Sequence, residues 1–101
     1  MNLVLNTKRG EWPVRARRVS EHFAVHKPLL TDTEVYGSLV LTHIPTGYVT
    51  VQRIPDRATA TKIARRLEPL LPWAQVKTPA DISKFQDRLP SIKALLNEFG
   101  L

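Results

Sequence analysis

Five cations fall between residues 8 and 18: Lys8, Arg9, Arg15, Arg17 and Arg18. Glu11 is the only acid among them, and Trp12 sets an indole in their midst. Guanidinium groups bind phosphate oxygens through paired N–H donors, and a neighbouring aromatic ring stacks on nucleobases. The segment therefore points to a nucleic-acid contact made by Lys8, Arg9, Trp12, Arg15, Arg17 and Arg18. The same residues also suit a solvated edge strand, where charge discourages aggregation. A second basic group, Arg57, Lys62, Arg65 and Arg66, recurs along one side of an expected helix. There the plainer reading is stronger. It is the solvent side of an amphipathic helix, with Arg65 and Arg66 near the C-terminal end that favours cations.

Other chemistry is poorly supplied. On a strand, His22 and His26 share a face but lie too far apart for one ion, and His43 approaches them only if strands pair. No cysteine exists to complete a metal site, so neither metal nor cofactor is expected. The acids are scattered, and Asp56 and Asp81 suit helix starts better than acid–base chemistry. Ser20, Ser38, Ser83 and Ser91 lie in no nucleophile-elbow context. Phosphate-loop and dinucleotide fingerprints are absent. The chain reads as a non-catalytic protein.

The elements that must position these residues fit one domain spanning residues 1–101. At 101 residues, 43% hydrophobic and 24% charged, the chain can bury a core without staples. Fifteen Lys and Arg against nine Asp and Glu give a net charge of +6, which favours polyanionic partners. No apolar run approaches the length of a membrane span. Met1–Asn6 has an apolar patch without the flanking charge of a signal peptide. Together with the lack of cysteine, this makes the cytoplasm the expected compartment.

Strands are expected first. Trp12, Val14 and Ala16 alternate with Pro13, Arg15 and Arg17, and then Val19, Phe23 and Val25 take the opposite parity. Such a change needs an extra residue or a break, most simply a bulge or turn near Arg17–Ser20, with a short helix there as the alternative. A hairpin is expected over 38–54. Pro45 and Gly47 suit a three-residue loop with a left-handed glycine, pairing Ile44 with Tyr48, His43 with Val49 and Leu41 with Val51. That register places Leu39, Leu41, Val49 and Val51 on the core face. Val40, Thr42, Ile44, Tyr48, Thr50 and Gln52 fall on the outer face.

Helices follow. Asp56 caps a helix carrying Ala60, Ile63, Ala64, Leu67 and Leu71, which ends near 67–70 because of Pro69 and Pro72. Thr78-Pro79-Ala80-Asp81 starts another. Ile82, Phe85, Leu89, Ile92, Leu96 and Phe99 then form a stripe that either covers the sheet or forms a dimer seam. Pro90 should kink or divide it, and Gly100 should end it.

The run from Gly37 to Leu71 resembles the strand–strand–helix part of the AP2-like arm-binding domains of phage integrases. Leu39-Val40-Leu41-Thr42-His43-Ile44, the Pro45-Thr46-Gly47 turn, Tyr48-Val49-Thr50-Val51 and a helix with Ala60 and Ala64 carry the likeness. It implies DNA contact through the exposed strand face. The whole chain is also similar to small accessory proteins of phages and mobile elements.

The reading is thus an α+β fold: a small antiparallel sheet of about three strands, covered on one face by two to three C-terminal helices. The leading function is nucleic-acid binding, to DNA or RNA, by a monomer or homodimer with no membrane role. The rival is an interaction or inhibitory module that meets an acidic protein partner through Val40, Ile44 and Tyr48.

Overall fold

The alternation breaks at Ala16 because the chain changes sheets there. In the computed structural model, which describes residues 1–7, 10–27 and 38–101, β1 (Asn2–Thr7) and β2 (Gly10–Arg15) form a two-stranded antiparallel ribbon. A second antiparallel sheet holds β3 (Arg17–Arg18), β4 (Phe23–His26), β5 (Leu39–His43) and β6 (Val49–Ile54) in that order. Among the described residues, six strands in two sheets replace the expected three. The short β3 forms by pairing Arg17 with Val25 and Arg18 with Ala24. Each sheet keeps its own parity, so the shift costs only the single linking residue.

The hairpin closes one residue earlier than its sequence implies. The His43 amide donates to the Tyr48 carbonyl at 3.0 Å, and the Gly47 amide returns to the His43 carbonyl at 2.8 Å. Four residues, 44–47, therefore form the loop in place of three. Thr46 explains the change: its buried hydroxyl bonds His43 Nδ1 at 2.9 Å and accepts from the Tyr48 amide at 3.2 Å. Leu41 still pairs with Val51, but Thr42 rather than His43 pairs with Val49, across a register shift. Val49 is consequently exposed and leaves the core face. A second shift lies between Leu39 and Leu41, opposite which Arg53 adopts a left-handed φ of 61°.

One sheet face carries Phe23, Val25, Leu41, Val51 and Ile54. Helix α1 (Arg57–Leu67) packs Ala60, Ile63, Ala64 and Leu67 onto it. Asp56 caps that helix by accepting from the Thr59 amide at 2.7 Å. A 3-10 turn at Glu68–Leu70 ends it, as the prolines require. Trp73 then folds back. Its indole donates to the Leu67 carbonyl at 2.7 Å and meets Phe23 edge-on at 4.8 Å. A short α2 (Pro79–Ile82) is held by Asp81, whose carboxylate accepts from the Lys77 and Thr78 amides. Those two bonds, with help from Lys84, hold the Asp81 pKa at about 2. A 3-10 run (Ser83–Arg88) leads into α3 (Leu89–Glu98), with non-helical angles at Phe85. The break thus precedes Pro90, which takes a first-turn position where its missing donor costs nothing. Ile82, Phe85, Ile92, Leu96 and Phe99 pack against the core, and Leu89 is half-buried. Leu95, outside the expected stripe, is the one fully buried residue of α3.

The opposite sheet face, which the sequence pattern leaves open, is covered. Val40 and Thr42 are buried, so they form no outer contact surface for a protein partner or for DNA. Leu3 and Leu5 of the ribbon cluster with Ala16 and Ala24, flanked by Val14 and Ile44. Alternation puts Ala24 on the face away from Phe23 and Val25. The ribbon is therefore a second cover, pinned where the Asn6 amide donates to the Gly47 carbonyl at 2.8 Å. The Asn6 side-chain amide also donates to the Thr46 carbonyl.

Gly47 has φ +72°, and a Cβ there would lie 2.3 Å from the Val4 carbonyl oxygen. Gly100 has a similar φ of +75° with nothing within 4 Å of a built Cβ. Gly100→Ala should cost only the left-handed strain, about 1–2 kcal/mol. Gly47→Ala should cost clearly more, because it also pushes the ribbon off its seat. Urea unfolding of both variants checks this, and equal losses would contradict the ribbon's placement.

Candidate functional site

The chain's passage from ribbon to sheet strings its cations along one line. Arg15 ends β2 opposite Asn2, and Arg17 and Arg18 form β3 at the sheet edge. All three are exposed. In extended chain, residues 15 to 18 span about 10 Å. That length matches roughly three phosphates at the axial spacing of one DNA strand. Among the described residues, the side chains of Arg15 and Arg17 have no hydrogen-bond or ion-pair partner. Arg18 is partly committed: Nε donates to the Ser20 carbonyl at 3.2 Å and a terminal nitrogen to the Glu21 carbonyl at 2.5 Å. Its guanidinium thus caps the turn between β3 and β4 while keeping other N–H groups free. Lys8 and Arg9 lie outside the described residues.

Trp12 pairs with Leu5, and Val4 with Pro13. Alternation places Trp12 and Arg15 on opposite faces of β2, so the indole and that guanidinium flank the strand from two sides. Among the described residues, Met1, Val4, Trp12, Tyr48 and Val49 are the exposed large apolar ones, and they lie in the ribbon, just before it, or beside the turn that seats it.

The helix group is arranged differently. Lys62, Arg65 and Arg66 are exposed on the side of α1 away from its buried residues, and Arg57 is exposed at its first turn, in line with Ala60 and Ala64. Arg66 pairs with Glu98 of α3, and Lys62 lies within electrostatic reach of Asp56. Part of this group's charge is therefore already answered. Sequence reasoning passed over Arg53, whose left-handed backbone has no compositional signal because arginine rarely adopts it.

Sequence reasoning also missed a polar cluster joining residues far apart in the chain. Glu68 Oε2 accepts from the Ser20 hydroxyl at 2.5 Å and the His22 amide at 2.8 Å, and Oε1 meets His22 Nδ1 at 2.6 Å. Burial pushes the Glu68 carboxyl upward, but the bonds from His22 and Ser20 outweigh it and hold the pKa low. Ser20 bonds the carboxylate and not an imidazole, so the cluster lacks the relay that activates a serine nucleophile. It works as a tie between the β3–β4 turn and the end of α1. Among the described residues, no group of three or more His, Asp or Glu can hold a metal ion. Nor, among the same residues, is any helix long and apolar enough to cross a membrane.

The other two histidines are buried hydrogen-bond links. His43 Nε2 donates to the Trp73 carbonyl at 3.0 Å, which leaves Nδ1 to accept from Thr46. His26 holds the reverse tautomer: Nδ1 donates to the Lys27 carbonyl and Nε2 accepts from Thr42, each at 2.7 Å. Burial lowers both pKa values, against the smaller raising effect of those carbonyl bonds.

The chain matches no protein-family model, and no curated protein or solved structure is similar to it.

The buried histidines set the pH dependence of stability. A group whose folded pKa lies below its unfolded value contributes fully above the unfolded value and loses that contribution as pH falls through the folded one. Stability should therefore decline from near the ordinary histidine value of 6.5 downward. The slope approaches about 1.4 kcal/mol per pH unit for each extra proton taken up by the unfolded chain. Glu68 adds a further loss in the carboxylate range. Urea midpoints between pH 7.5 and 5 read this out. His26→Gln should flatten the slope, and a pH-independent wild type would contradict the assignment.

Proposed function

We propose that this chain is a non-catalytic basic module that binds nucleic acid through phosphate contacts. The observation that carries the reading is the line of exposed arginines from β2 into β3, two of them free of partners among the described residues, on a chain of net charge +6. Arg15 and Arg17 are the principal contacts. Arg18 adds to them while also capping its turn, and Lys8 and Arg9 extend the charge along the sequence. Phosphate contacts set affinity and carry no sequence information, so binding is mainly sequence-independent. The helix group, with Arg66 already paired, contributes less.

Salt titration tests this reading. With about four phosphates engaged, log affinity against log salt should have a slope near −3 to −4 on duplex DNA. Arg15→Gln with Arg17→Gln should reduce that slope by about two units and leave thermal stability unchanged. Arg18→Gln should reduce it by about one unit and also lower stability, because two carbonyls lose their donor. Lys62→Gln with Arg65→Gln should change it least. Absence of binding to any nucleic acid at low salt would end the reading and favour an acidic protein partner.

A further inference from the structure

Trp12 is 46% exposed, yet its cross-strand partner Leu5 is 2% exposed. Such a pair normally shares one environment, since partners across a ribbon point to the same side. Here the larger ring is the one left in water. The chain's other indole, Trp73, is 3% exposed and fully engaged.

The backbone shows which edge of the ribbon Trp12 serves. The Asn6 amide donates to Gly47, so it points away from β2, and Asn6 and Glu11 form a non-hydrogen-bonded pair. The pairs alternate along the ribbon, so Val4 and Pro13 are also non-hydrogen-bonded. The turn at 44–47 therefore occupies the outer edge of β1. The outer edge of β2 is the one where the Pro13 nitrogen, with no proton to give, faces outward. That proline discourages pairing with a further strand. Trp12 projects to one side of this edge and Arg15 to the other, three residues along.

We infer that the outer edge of β2 is a track for single-stranded nucleic acid, with a base stacked on Trp12 and the adjoining phosphates on Arg15 and Arg17. This rests on the phosphate-binding reading and adds the form of the ligand. Two properties select single strands. The face of an indole can be covered only by a base that has left its neighbour, which duplex does not offer. Arg15 and Arg17, farther along the chain, match the phosphates that continue the strand past such a base, and they give an uncharged apolar partner no advantage. Tyr48, although exposed, lies beyond β1 on the far side from β2 and takes no part.

Fluorescence of the full chain tests this with oligothymidylate and with a duplex of mixed sequence. Buried Trp73 supplies a constant background. Oligothymidylate should quench the Trp12 emission and bind more tightly than the duplex at equal salt. Trp12→Leu should abolish the quenching and weaken single-strand binding by about fivefold or more, while duplex binding stays the same. Trp12→Phe should recover part of the affinity, and Tyr48→Ser should change nothing. Single-strand binding without quenching, or equal losses on both ligands in Trp12→Leu, would overturn the inference and leave the phosphate contacts standing. No binding to either ligand would overturn both.

Discussion

The carbonyl of Val4 lies so close to Gly47 that no side chain fits between them. Everything at the N-terminal end of this fold depends on that approach. It lets the Asn6 amide reach the Gly47 carbonyl, which seats β1 against the β5–β6 turn. With β1 fixed, Leu3 and Leu5 cover Ala24 and Ile44, and the sheet becomes buried on both faces. The turn itself is stiffened from inside by Thr46 and His43, and His43 is tied in turn to the segment after α1. A glycine, a threonine and a histidine thus link the helical layer to the ribbon through one four-residue loop.

Much of this was legible in the sequence, and the failures have physical causes. The α+β class, the cap at Asp56, the halt after Leu67, the left-handed Gly47 and the break before Pro90 follow from local rules of capping, proline and glycine. Those rules act over a few residues. The second sheet was missed because Leu3 and Leu5 show only that a strand has a buried side, not what buries it. Val49 was misassigned because one shift of register reverses the faces of a strand, and the shift comes from a Thr46 side-chain bond that alternation does not encode. The tie from Glu68 to Ser20 and His22 spans more than forty positions and leaves no local trace.

The basic segment was legible as charge, but not as geometry. Its composition put arginines and an indole together, and the fold sorts them. Arg15 and Arg17 are free among the described residues, Arg18 is half-spent on its own turn, and Trp12 faces away from Arg15 across one strand. The helix group, four cations against five, loses its distinctness once Arg66 is paired to Glu98. Charge alone would have ranked the two groups alike. Partners, edges and faces separate them, and a sequence supplies those only after the chain has folded.

Amide chemical shifts of the isotopically labelled chain, followed as oligothymidylate is added at low salt, test the central claim most directly. The account predicts that the perturbed amides cluster in β2 and β3, with the Trp12 indole proton moving and the Trp73 indole proton still. Perturbations centred on the exposed side of α1, or no perturbation at saturating ligand, would contradict it.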